Sequence, residues 1–294
     1  MGMETSIVEL DVPVRIRDHG GLGPSLLLVH GLGGSVENWT SVGGPLSEYG
    51  RVIALDLAGF GKTPPGERGS TVEANADLVL SVIDALDLGP TTLIGNSMGG
   101  LVSILAAVAS PERVERMVLV NPALPVARWR PLNIEVLLKL LAPLIPVLGP
   151  AGIQAYKSSH TPEEETAETL AMITVDPASI SPEARAAMAA MTRSHRTVPW
   201  TVPSFIEADR SLAKKIFSPR QFAKLVDRVT QPTLLIHGME DPLVSIDSAN
   251  WVAARRADWD FAPMENIGHV PMLEAPDLFV ETVAKWLAVT SNES

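Results

Sequence analysis

A chain of 294 residues, 46% hydrophobic and 19% charged, has the apolar content for a sizeable buried core, which excludes global disorder. Lys and Arg number 23 against 34 Asp and Glu, giving a formal charge of −11 with no basic run, so nucleic acid and anionic membrane surfaces are poor partners. The absence of cysteine removes disulfides, thiolate catalysis and zinc–thiolate sites together.

The opening M-G-M-E-T-S shows neither a charged n-region nor an apolar h-region, so a cytoplasmic location is expected. Gly2 and Ser6 fit the loose myristoylation pattern, but acidic Glu4 and the lack of polybasic support count against it. Residues 6–17 alternate, with Val8, Leu10, Val12, Val14 and Ile16 two apart, the period of a half-buried antiparallel hairpin. Residues 26–29 and 51–55 are continuous apolar runs of the kind central parallel strands show when both faces are covered. The first ends in His30-Gly31-Leu32-Gly33-Gly34, the second in Asp56 and a Gly/Pro-rich loop. Thr71 can cap a helix running to about Leu86.

At Thr91 to Gly100, T-T-L-I-G-N-S-M-G-G, an apolar strand stops on a glycine-flanked serine and an Ala/Leu-rich helix follows at once. Gly95, Ser97 and Gly99 fit G-x-S-x-G, a strained strand-to-helix turn in which larger flanking residues would collide with their surroundings. A strand over 117–120 ends in Asn121-Pro122. The strand–helix rhythm then breaks: residues 123–228 carry no buried-strand run and read as proline-punctuated helices. Alternation resumes with a strand at 233–236, a helix at 246–256, a short strand at 259–262 and a last helix at 276–289. We therefore expect an α/β core over 1–122 and 229–294, with 123–228 inserted as a helical cap. Leu132, Val136, Leu140 and Leu144 recur every four residues, the pattern of an amphipathic lid helix. Leu132, Val136 and Leu140 are the candidate substrate contacts. The stretch is too short, too charged and too rich in proline to span a membrane, so no integral membrane association is expected.

A serine hydroxyl needs a base to take its proton and a third group to hold that base in one tautomer. Downstream, H-G-M-E-D-P places Asp241 after a buried strand, and I-G-H-V-P places His269 after the last short one. Ser97, Asp241 and His269 stand in the nucleophile–acid–base order that goes with this turn. Glu240 competes for the acid role, but Asp241 has the G-x-x-D spacing and precedes a proline. Asn121 cannot act as an acid. His30 and His237 are expected to hydrogen-bond loop backbone inside the fold, and His19, His160 and His195 to lie on the surface or at helix ends. The Met98 N–H at the helix start is placed to stabilise an oxyanion, and Leu32, with Gly33 in reserve, supplies the second donor. No Walker or G-x-G-x-x-G pattern and no H-E-x-x-H is present, so neither a nucleotide, another cofactor nor a metal is expected.

With this serine turn, the His30-Gly31 loop, Asp241 and His269 in place, the chain resembles the α/β-hydrolase fold family over nearly its full length. The resemblance implies a mostly parallel eight-stranded sheet with helices on both faces, and a helical cap inserted after the sixth strand. Serine at the nucleophile position disfavours the haloalkane dehalogenase and epoxide hydrolase branches. The G-N-S-M-G-G turn is also similar to that of carbon–carbon bond hydrolases, which take ring-cleavage products. Those carry a cap arginine where this chain has Met188 and a tryptophan where it has Val270, although Arg185, Arg193 or Arg196 could substitute. The first expectation is a serine esterase acting on a rather apolar small-molecule ester. A carbon–carbon bond hydrolase and a silent ligand-binding member are the alternatives. Substrate identity and oligomeric state are not legible.

Overall fold

A computed structural model describes residues 4–125 and 148–290 of the chain. Eight strands form one sheet: β1 (Glu4–Glu9), β2 (Pro13–Gly20), β3 (Ser25–Val29), β4 (Arg51–Leu55), β5 (Thr91–Asn96), β6 (Val114–Val120), β7 (Thr233–Gly238) and β8 (Asp260–Met264). Their order is β1-β2-β4-β3-β5-β6-β7-β8, with β1 and β2 antiparallel at one edge and every pairing from β4 to β8 parallel.

The central strands carry continuous apolar runs because both faces are covered. Leu27, Val29, Ile53, Leu55, Leu93 and Leu119 point to one face, where they meet α2 (Val72–Ala85) and α3 (Met98–Ala109) through Leu78, Val82, Leu101 and Val102. Their sequence neighbours Leu26, Leu28, Val52, Ala54, Ile94 and Val118 point to the other. There they meet α1 (Thr40–Leu46) and α11 (Pro276–Thr290) through Val42, Leu46, Phe279 and Val283. Full burial of each such aliphatic side chain contributes about 2 kcal/mol, so this two-sided core fixes the register of every strand end.

Between β6 and β7 the described residues form helices and no strand: α4 (Leu148–Ser159), α5 (Pro162–Ile173), α6 (Pro182–His195), α7 (Thr201–Ile216) and α8 (Pro219–Val226). The prolines that break the sequence rhythm open these helices. Pro162, Pro182 and Pro219 sit in first turns, and Thr161 and Ser181 cap the chain ahead of the first two. The inserted helices dock on the core partly through polar contacts. Glu207 accepts from Ser70 N at 2.9 Å and Ser211 Oγ from Val72 N at 2.9 Å. The lid positions Leu132, Val136, Leu140 and Leu144 lie outside the described residues. Among the described residues no helix is long and apolar enough to cross a membrane.

His19 departs from expectation. It is buried on β2, its ring filling the space above Gly43 of α1, where a Cβ would come within 2.3 Å of the imidazole. Burial and the neighbouring Arg17 push its pKa down to about 4. The strand's alternation places His19 on a covered face, and the glycine that makes room for it lies two dozen residues away.

Candidate active site

Ser97 stands between the end of β5 and the start of α3 with φ 54° and ψ −118°, a strained conformation for a residue with a Cβ. It is held there by its backbone: the N–H donates to Val120 O at 3.0 Å, and the carbonyl accepts from Gly100, Leu101 and Ala123 N–H groups. A Cβ at Gly95 would stand 2.4 Å from Gly99 O, and one at Gly99 would stand 2.1 Å from Val29 O. The flanking glycines are therefore a condition of the turn. The result is a half-exposed hydroxyl at the C-terminal edge of the sheet, at the N-terminus of α3.

Asp241 lies in the loop after β7, buried, and its carboxylate is saturated. Oδ1 accepts from Leu243 N at 2.8 Å and Val244 N at 3.0 Å. Oδ2 accepts from Asn121 Nδ2 at 2.7 Å and meets His269 Nδ1 at 2.7 Å. Burial pushes the Asp241 pKa up, but His269, its hydrogen bond, His237 and the Val244 N–H outweigh it and hold the carboxyl below its ordinary value. An ionised Asp241 keeps the proton of His269 on Nδ1 and leaves Nε2 free to act as a base. Glu240 is exposed, and its carboxylate accepts from Ile267 N at 3.2 Å instead.

Two asparagines join these parts; sequence reasoning takes Asn121 only as unable to be the acid and gives Asn96 no role. Asn96, the residue before the serine, donates from Nδ2 to Val120 O and to His269 O, each at 3.1 Å. Asn121, at the end of β6 with φ 43°, donates to Asp241 and to Gly268 O at 3.2 Å, and accepts from Gly238 N at 3.3 Å. The signal was available for Asn121: a polar residue at the end of a buried strand has to find partners.

The loop after β3 lies against the serine, since a Cβ at Gly31 would come within 3.0 Å of Ser97 Cβ. His30 anchors it: Nε2 accepts from Leu57 N at 3.0 Å while Nδ1 lies 2.7 Å from Gly31 O, so the ring donates through Nδ1. Burial holds the pKa of His30 low and the ring neutral. Leu32 is half-buried, and its N–H donates no hydrogen bond among the described residues. Gly33, with φ 73°, faces the Phe205 ring of α7. Met98 opens α3, where first-turn N–H groups lack intrahelical acceptors. His237 is buried, with Nε2 2.8 Å from Val244 O. His160 and His195 are half-buried, and His195 Nε2 lies 3.1 Å from Gly61 O.

The three arginines that could replace a cap arginine are all engaged. Arg185 donates to Ile180 O and Pro177 O, Arg193 pairs with Glu163, and Arg196 binds His160 O and Glu165. Leu132, Val136 and Leu140 lie outside the described residues, so the structure places no side chain at these substrate-contact positions.

Pimeloyl-[acyl-carrier protein] methyl ester esterase of Aromatoleum aromaticum is 28% identical to this chain over 256 residues, covering 86% of this chain and 94% of that one. A thermophilic esterase from Thermogutta terrifontis superposes with a TM-score of 0.71 at 22% identity, covering 98% of both chains. A meta-cleavage product hydrolase from Pseudomonas fluorescens IP01 superposes with 0.74 at 23% identity, again over 98% of both. Likeness at this identity shows a shared fold. The family model described as alpha/beta hydrolase fold matches residues 24–275, and with the sheet order above it establishes that this chain belongs to the α/β-hydrolase family.

Proposed function

We propose that the protein is a serine hydrolase that cleaves a rather apolar carboxylic ester through an acyl-enzyme, with Ser97 as nucleophile, His269 as general base and acid, and Asp241 as its orienting carboxylate. The observation that carries this reading is the saturated, ionised Asp241 at 2.7 Å from Nδ1 of His269, whose carbonyl accepts from Asn96, the residue before a strained serine. In acylation His269 Nε2 takes the Ser97 proton as Oγ attacks the ester carbon, then returns it to the leaving alkoxide. In deacylation the same nitrogen activates water. The Leu32 and Met98 N–H groups stabilise the oxyanion, each contribution of this kind being worth about 10²–10³ in kcat. The reaction needs neither metal nor cofactor.

Residues 123–228 act as the cap, with Leu132, Val136 and Leu140 as apolar substrate contacts, and the protein works in the cytoplasm on a small molecule. An ester is favoured by the esterase relative of Aromatoleum aromaticum, which aligns over most of both chains. It is also favoured by the engagement of Arg185, Arg193 and Arg196, which leaves none of them uncommitted to pair a substrate carboxylate. The test is a panel of p-nitrophenyl esters of graded chain length set against a 2-hydroxy-6-oxo-dienoate, with labelling of Ser97 by a fluorophosphonate. Neutral medium-chain esters should exceed the dienoate at least about tenfold in kcat/KM, equivalent to about 1.4 kcal/mol. Preference for the dienoate would establish the carbon–carbon hydrolase instead, and absence of both turnover and labelling a silent binding member.

A further inference from the structure

The reading of His269 as the base leaves open what fixes the loop that carries it. The 268–269 dipeptide has four backbone polar groups, and each is held from a different direction. Gly268 O accepts from Asn121 and His269 O from Asn96, both from the sheet. The His269 N–H donates at 2.7 Å to Ile173 O, the last residue of α5 in the inserted segment. The Gly268 N–H donates at 2.9 Å to Glu274 Oε2.

Glu274 is buried at the end of the short helix α10 (Pro271–Glu274), and among the described residues it pairs with no cation. Its second oxygen, Oε1, reaches across to the inserted segment and accepts from Val175 N at 2.9 Å and Asp176 N at 3.2 Å. One carboxylate thus faces three N–H donors arriving from two sides. Only an ionised carboxyl offers two acceptor oxygens and no donor, so no other side chain can satisfy both sides at once. Gly268 completes the crossing: a Cβ there would stand 2.6 Å from Ile173 O and 2.9 Å from Thr174 Cα. The inserted chain and the histidine loop touch as bare backbone.

We propose that Glu274 is a positioning residue for the base: it clamps residues 173–176 of the cap onto the histidine loop, so that the cap carbonyl of Ile173 becomes part of the support of His269. The catalytic histidine is then held jointly by core and cap, and the inserted segment has a share in turnover as well as in substrate contact. This rests on the triad reading above. Displacement of a base by a fraction of an ångström to an ångström costs up to about 10²-fold in rate, while leaving ester binding on the cap's apolar surface little changed.

The test uses Glu274→Gln and Gly268→Ala in the full chain, with active sites counted by running fluorophosphonate labelling to completion. In Glu274→Gln the amide oxygen can still accept from the cap, but the NH2 faces the Gly268 N–H. In Gly268→Ala the new methyl displaces the Ile173 carbonyl. Each variant should lose about 10–100-fold in kcat per titrated site and in labelling rate, with KM within about threefold. The double variant should be little worse than the weaker single, because both act through one contact. A merely structural role would instead lower the melting temperature and the number of titratable sites, leaving kcat per site at the wild-type value, and that result overturns the proposal. Should Glu274→Gln fail to fold, Gly268→Ala alone decides by the same readout. Wild-type protein that neither turns over esters nor labels at Ser97 removes the triad reading itself. A labelled, active wild type with unaffected variants removes only the clamp.

Discussion

Two buried aspartates mark the difference between the sheet edge and the inserted helices. Asp241, after β7, accepts from two backbone N–H groups and an asparagine and meets a histidine, and its pKa is held low. Asp209, on α7, is equally buried, but its Oδ2 has no hydrogen-bond partner among the described residues, and burial drives its pKa up to about 7. Both oxygens of the Asp241 carboxylate meet partners fixed by a close-packed core, so its charge is held in place. The inserted helices have smaller buried sets and retain an uncompensated carboxyl, a cost that a rigid site could not carry at its reacting centre.

The comparison breaks most sharply at the serine. Ser97→Ala should keep the fold and lower kcat by on the order of 10⁴ or more, and His269→Ala should do the same. Because the two act as one unit, the double variant should fall no further than the worse single, which steady-state kinetics on a p-nitrophenyl ester will show. Next comes the acid. Asp241→Asn puts an NH2 where the His269 N–H must donate, and should cost about 10²–10⁴ in kcat. Exposed Glu240→Gln should change kcat by less than about threefold, and a larger loss there would transfer the acid role to Glu240.

A pair of glycines tests the contrast in packing. Gly99→Ala places a Cβ 2.1 Å from Val29 O, a backbone atom that cannot yield without moving β3, so a loss of about 3 kcal/mol or more is expected in urea unfolding. Gly152, exposed within α4, would meet nothing within 4 Å. There alanine should instead stabilise by about 0.5–1 kcal/mol through helix propensity. Similar responses at the two sites would mean that the inserted helices are packed as tightly as the core.

The sheet edge was also the more legible region. Continuous apolar runs mark β3, β4, β5 and β7 because strands covered on both faces have no polar alternation to blur them, and Ser97 and Asp241 follow the ends of two such runs, while His269 follows the short, mostly uncovered β8. The short helix α1 and the turn at Val36–Trp39 went unread, since four to seven residues carry too little periodicity. Asn96, Asn121 and Glu274 were missed for a different reason. The partners of the two asparagines lie 24 to 173 residues away, and Glu274 joins nearby Gly268 to Val175 and Asp176 of the inserted segment, so no local pattern encodes these pairings. His19, expected on the surface, is covered instead by α1, whose Gly43 leaves room for the ring, and no local pattern announces that helix.

A last expected effect concerns Asp209, and its sign is opposite to that of most core substitutions. Its folded pKa of about 7 lies above the ordinary carboxyl value of 3.8. An acid raised in this way contributes nothing adverse well below pH 3.8, where both folded and unfolded chains are protonated. Between pH 4 and 7 the unfolded chain ionises first, so the folded state loses stability progressively, and above pH 7 the full penalty stands. Asp209→Asn removes the titration while keeping the shape. Its stability relative to wild type should therefore be smallest at pH 4 and grow by about 1–3 kcal/mol by pH 8, read as the difference in urea midpoints at the two pH values. A gain that did not grow with pH would show that the Asp209 carboxyl is already ionised and paired in solution. The Asp209 carboxyl would then be as well satisfied as that of Asp241.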